Sequence, residues 1–234
     1  MVEQIKQELQ KYVEPEKAAF LPKFFQAGPG GYAEGDEFIG VRVPRLRQAA
    51  RKYYRNITLI EIAELLHDPV HEYRAVALMM LASKYEKADP KAKEEIAQFY
   101  LDNLDYVNNW DLVDLSADKI LGAHLFAGDR RILYELAASK HLWRQRAAVM
   151  ATFYFIRHGE FSDTFRLAEL LIGHPHHLIH KAVGWMLREV GKRDQRAEVE
   201  FLKAHYQRMP RTMLRYAIEK LEPGLRRQFL EGRA

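Results

Sequence analysis

Arg74-Ala75-Val76-Ala77-Leu78 recurs along this chain as Arg146-Ala147-Ala148-Val149-Met150, Lys181-Ala182-Val183-Gly184-Trp185 and Arg215-Tyr216-Ala217-Ile218-Glu219, a basic residue followed by small or apolar ones. Between the first two copies stands Trp110-Asp111-Leu112-Val113-Asp114, which keeps the spacing and breaks the chemistry. From 74 to 110 is 36 residues, from 110 to 146 another 36, then 35 to Lys181 and 34 to Arg215. That period belongs to paired-helix repeats, in which each unit buries its apolar face against the next. The chain is expected to be all-α, a helical-repeat solenoid.

Turn and cap signals divide the chain accordingly. Helices are expected over 2–13, 15–27, from Pro44 onward, 59–67, 70–86, 91–104, 108–123, 129–139, 142–158, 162–173, 177–191, 194–207 and 211–221. Pro223-Gly224 is read as the end of the regular part, leaving a short basic tail. No stretch alternates with a period of two, so no strands are expected. The loop Gly28-Pro29-Gly30-Gly31 lacks a preceding strand and a Gly-Lys-Ser/Thr ending, which leaves it a turn-rich connection rather than a phosphate cradle.

Composition bounds the rest. With 234 residues and 48% hydrophobic side chains, one elongated domain, 1–234, is expected. No apolar run reaches the roughly 18 residues of a membrane span, and Met1 to Tyr12 lacks a signal-peptide core, so a cytoplasmic protein is expected. Zero cysteines exclude disulfides, Cys-based zinc sites and thiol catalysis. Net charge is +4, unevenly placed: residues 1–106 carry 15 Lys and Arg against 17 Asp and Glu, −2, and residues 107–234 carry 21 against 15, +6. Such asymmetry suits a polyanionic partner, although solvated helix faces give similar counts.

In the register of the repeats, Trp110 replaces the basic residue and Asp114 stands where the others have Leu78, Met150, Trp185 and Glu219. Four residues apart on a helix, the indole and the carboxylate share a face. Stacked repeats bring equivalent positions onto one surface, so Trp110, Asp114, Arg146 and Trp185 are expected to be neighbours. Core packing of the two tryptophans with an Asp114–Arg146 ion pair accounts for the same residues. Pro44 opens a helix whose first turn presents Arg45 and Arg47, either a phosphate clamp or a solvated basic start. His176 and His180 have a metal-compatible spacing, but the pattern fixes no third ligand and turn histidines are common at helix starts.

Four motifs, Asn108-Asn109-Trp110-Asp111-Leu112-Val113-Asp114, Trp143 to Ala148, His180 to Glu189 and Gly40 to Gln48, together resemble the AlkD-type DNA alkylation-repair glycosylases, in order and at matching spacing. The resemblance runs from the helix after Pro15 to the repeat at Arg215 and implies a HEAT-like solenoid with a concave DNA-binding groove. It further implies that Asp114 is the catalytic carboxylate, that Trp110 and Trp185 line the site, and that Arg146 and Arg47 contact the DNA backbone. Arg45, Phe24, Lys181, Arg188 and Arg215 complete the expected DNA-binding set. The implied partner is duplex DNA carrying positively charged alkylpurines, with no metal, cofactor, membrane or obligate protein partner and a monomeric chain. A non-catalytic DNA-structure binder and a protein-interaction adaptor are the alternative readings of the same scaffold. This sequence departs from some relatives at Asn109, where they carry a second aromatic, and at Phe24, where they carry a tyrosine.

Overall fold

A computed structural model describes residues 1–234. The chain is all-helical; its sole β-type pairing is an isolated bridge between Glu37 and Val70. Packing divides it into two compact units, Met1–His124 and Leu125–Ala234.

The first unit contains α1 (Val2–Gln10), α2 (Pro15–Phe24), α3 (Val43–Tyr53), α4 (Leu59–Leu66), α5 (His71–Lys87), α6 (Pro90–Asp102) and α7 (Trp110–Ser116). Its axis is α5, which packs against α3, α4, α6 and α7. Residues 71–78 of α5 are buried on every side, including His71, Glu72 and Arg74, so this helix has no solvent stripe over its first two turns. Local chemistry sets its neighbours' ends. Thr58 and Glu61 form a reciprocal capping box on α4, Asp89 caps α6, and prolines occupy the first turns of α2, α3 and α6.

The second unit holds α9 (Arg131–Ala138), α10 (Leu142–Arg157), α11 (Ser162–Leu170), α12 (His177–Gly191), α13 (Gln195–His205), α14 (Arg211–Ala217) and α15 (Pro223–Glu231). A single turn, α8 (Ala123–Leu125), leads into it. Here α12 is central, packing against α10, α11, α13 and α14. Gly184 permits the α12–α14 approach, since a β-carbon there would overlap the Met213 carbonyl oxygen and the Tyr216 side chain.

The five register positions fall on α5, α7, α10, α12 and α14, and within the units α5 packs on α7, α10 on α12, and α12 on α14. This is the stacking that the period of about 35 residues requires. Two expectations fail. The helix expected over 108–123 stops at Ser116 and continues as a π-helical turn, Asp118–Gly122. There Ser116 Oγ, already hydrogen-bonded with Tyr100 at 2.9 Å, donates 2.6 Å to the Leu112 carbonyl, and Gly122 N–H bonds five residues back to Ala117. The supposed basic tail is α15. Pro223 sits in its first turn, the Glu222 carboxylate accepts from the Gly224 and Leu225 amides, Phe229 is buried, and Gly232 closes it at φ 73°.

Replacing Gly184 by Ala overpacks the α12–α14 contact and is expected to lower stability by about 1–3 kcal/mol in urea unfolding. Wild-type stability in that variant would contradict the close approach.

Candidate active site

Helix α7 is only seven residues long, too short to hold itself. Its first turn is clamped from α5. Arg74 Nη1 donates 2.6 Å to Asn108 Oδ1, and the Arg74 guanidinium also pairs with Asp36 at 2.5 Å. One turn earlier on α5, His71 Nε2 donates 2.8 Å to Asp111 Oδ2, while His71 Nδ1 lies 3.4 Å from Asp36 Oδ2. Asn109, fully buried, caps the helix by accepting from the Trp110 amide at 2.8 Å, and Asp111 Oδ1 accepts from the Leu112 amide at 2.9 Å.

The loop that carries Asp36 is itself tied to α5. The amides of Ile39 and Gly40 donate to the buried Glu72 carboxylate at 3.2 and 2.7 Å, and the His71 amide donates to the Glu37 carbonyl at 2.8 Å. Gly40 is needed at this point: φ is +77°, and a β-carbon would strike the Glu14 carbonyl.

Burial opposes charging of His71, but the hydrogen bonds to Asp111 and Asp36 outweigh it and raise its pKa to about 9. Asp36, whose burial acts in the opposite direction, is held below its usual value by His71 and Arg74. The site therefore holds a buried imidazolium at the first position of a helix, where the helix dipole disfavours a cation. Phe25 and Phe38 lie 4.7 and 5.1 Å from the imidazolium and add cation–π attraction.

Phe25 links this cation to Trp110, stacking on the indole at 5.5 Å with 27° between planes; Phe24 meets the indole edge-on at 6.0 Å. Trp110 is half-buried, and Asp114, four residues on, is also partly exposed. Alongside lies a mainly apolar cavity of about 430 Å³ whose walls include Phe24, Phe25, Trp110, Asp111 and Leu115, with Arg47 contributing from α3.

Among the expected site residues of the first unit, Trp110, Phe24 and Arg47 meet at this cavity, and Asp114 shares α7 with Trp110. Arg45 does not line the cavity; it stacks 4.4 Å over the Tyr12 ring and bonds Gln48 at 3.0 Å. In the second unit, Trp185 packs 6.2 Å from Phe153, and its Nε1 donates 3.1 Å to Glu189. Burial acts to raise the Glu189 pKa, and Lys192, Trp185 and Arg193 together lower it. Arg215 is exposed and Lys181 partly so.

Two arginines expected to contact DNA have partners within the protein. Arg146 is 4% exposed and donates 2.6 Å to the Leu178 carbonyl, making it a strut between α10 and α12 rather than a surface cation. Arg188 is paired with Glu219. The histidine run is likewise committed to a turn: His174 Nδ1 accepts from the His176 amide, His176 Nδ1 from the Leu178 amide, and His180 Nε2 lies 2.5 Å from the His174 carbonyl.

A family model described as DNA alkylation repair enzyme matches residues 5–221. The chain belongs to that family. Its membership carries a role in DNA repair. Among solved structures, this alkylation-repair protein is similar to a "Predicted DNA alkylation repair enzyme" from Enterococcus faecalis, at 15% identity and TM-score 0.69, covering 90% of this chain and 97% of that one. It is also similar to AlkD2 from Streptococcus mutans, at 17% identity and TM-score 0.55, covering 89% and 99%. At these identities the likeness carries the fold alone. No curated protein matches the sequence.

His71, Asp36, Asp111 and Phe25 were not singled out from the repair protein's sequence. His71 and Arg74 lie one helical turn apart, which was a readable signal; Asp36 sits in an aperiodic loop 35 residues from His71 and gave none. Because the folded pKa of His71 lies above its ordinary value, the network's contribution to stability is fully present below about pH 6.5 and is lost as pH rises through about 9. Urea unfolding from pH 6 to 10 is expected to show that loss in the wild type and not in His71→Gln; identical profiles would contradict the assignment.

Proposed function

We propose that this protein is a monofunctional DNA glycosylase that releases cationic alkylated purines, 3-methyladenine and 7-methylguanine, from duplex DNA. The observation that carries the reading is the pairing, in a chain of the alkylation-repair family, of a half-exposed indole and a partly exposed carboxylate four residues apart on α7, Trp110 and Asp114.

The chemistry needs little more. An N-alkylpurine is already positively charged, so breaking the bond between C1′ and the ring nitrogen returns its electron pair to the base, which departs neutral without protonation. Positive charge then develops on the sugar. Asp114 stabilises that oxocarbenium-like centre and orients a water whose oxygen bonds to C1′, the proton leaving through the carboxylate to solvent. The Trp110 face lies against the electron-poor sugar. Arg47, Arg45, Lys181 and Arg215 supply backbone contacts, while Arg146 and Arg188 act mainly as struts. The partner is duplex DNA, approached without extrusion of the base into a deep pocket, and the protein acts as a monomer in the cytoplasm.

Methylated duplex DNA incubated with the protein is expected to yield free 7-methylguanine and 3-methyladenine. Asp114→Asn should lower the rate of release roughly 10²–10³-fold, the scale of removing one electrostatic stabiliser, while keeping DNA affinity. A wild-type protein that binds DNA in a strongly salt-dependent manner but releases no base would overturn the enzymatic reading in favour of a DNA-structure binder. Absence of salt-dependent DNA binding would point to a protein-interaction adaptor.

A further inference from the structure

The buried cluster beneath α7 has no direct part in the proposed chemistry, yet it is built at a cost. His71 is 3% exposed, sits at the positive end of α5, and is flanked by carboxylates from two other segments, Asp36 from the loop and Asp111 from α7. The charged groups around it are Asp36 on the loop, Glu72 and Arg74 on α5 itself, Asp111 on α7 and Arg47 on the cavity wall from α3; α2 and its cap line the cavity with the uncharged Leu21, Phe24 and Phe25.

Two routes lead from His71 to the residues that bear the chemistry. One is polar: the imidazole grips Asp111, the residue after Trp110 and three before Asp114, so the bond fixes the rotation of α7 about its axis. The other is aromatic: Phe25 lies against the imidazole on one side and against the Trp110 indole on the other, at 4.7 and 5.5 Å. Trp110 is thus held by both its backbone neighbour and its ring neighbour, each anchored on the same side chain. Arg74 fixes Asn108 in parallel.

We propose that His71, bridging Asp36 and Asp111, is a positioning residue that sets the placement of Trp110 and Asp114 on α7. The inference rests on the glycosylase reading for its catalytic consequence and on the geometry alone for the placement. While His71 carries its proton, both carboxylates are satisfied. On deprotonation one imidazole nitrogen loses its hydrogen and one of the two carboxylates loses its donor, so the bridge between the loop and α7 is broken and the hold on Trp110 loosens.

The test uses the full chain, His71→Gln, and Asp111→Asn, which cuts the same link from the partly exposed side. Single-turnover release of 7-methylguanine is followed from pH 6 to 10 beside DNA affinity, with Trp110 emission taken as the difference from a Trp110→Phe protein. The wild-type rate should hold at neutral pH and fall through about pH 9. Each variant should lose roughly tenfold to hundredfold in rate at neutral pH, the scale of a misplaced catalytic group, lack the alkaline fall, and keep DNA affinity within about threefold. Trp110 emission should change near pH 9 in the wild type alone. Folded variants with the wild-type rate, pH profile and emission would overturn the proposal, since a merely structural histidine alters stability without moving the profile. Should the wild type release no base at any pH, the glycosylase reading fails by itself; placement then stands if emission shows the transition that His71→Gln abolishes, and falls if it does not.

Discussion

Burying a charged side chain costs several kcal/mol unless partners await it, and this chain buries a partnered arginine at equivalent places in both units. Arg74 and Arg146, each 4% exposed, occupy the same register position, and each reaches forward by about one repeat: Arg74 to the Asn108 side chain, Arg146 to the Leu178 carbonyl. A guanidinium suits this task because it stays charged at every relevant pH and presents several donors in fixed directions. The recurring basic residue is therefore first a tie between successive repeats. Where it is exposed instead, as at Arg215, it is available to a partner.

The candidate site follows from the same arrangement. Helix α7 begins where the repeat gives up its basic residue for an indole, at position 110. It is held from behind by Arg74 on Asn108 and His71 on Asp111, and it stops after seven residues in a π-helical turn. A short helix with both ends fixed presents Trp110 and Asp114 in one orientation. That rigidity is what electrostatic stabilisation of a transient cation requires, since a carboxylate that must reorganise during the reaction loses much of its advantage.

Much of this was legible in the sequence. The period placed every register helix, and α12 was read to the residue, because its pattern of apolar positions is long and its turn signals sharp. Failures came where a local rule competed with tertiary contacts. The helix over 108–123 looked continuous since nothing in Leu115-Ser116-Ala117 signals that a hydroxyl shared with Tyr100 diverts the ladder. Pro223-Gly224 read as a stop, although proline in a first turn is equally a start and Phe229 supplies the burial that decides it. Within the site, Trp110 and Asp114 stood out because they break a repeat. The Asp36–His71–Asp111 cluster did not, as it joins a loop to two helices and has no period. Arg146 is the opposite case: it keeps the repeat perfectly, and charge alone does not reveal which arginines a fold takes inside.

The central claim is that one carboxylate, fixed beside an indole on α7, stabilises positive charge on a sugar. The most direct measurement compares the affinity of the protein for duplexes carrying a cationic pyrrolidine or a neutral tetrahydrofuran in place of one nucleotide's sugar and base. A site complementary to the transition state binds the charged analogue more tightly, and Asp114→Asn should erase the preference while leaving affinity for the neutral duplex as it was. Equal affinity of the wild-type protein for the two duplexes would contradict the account.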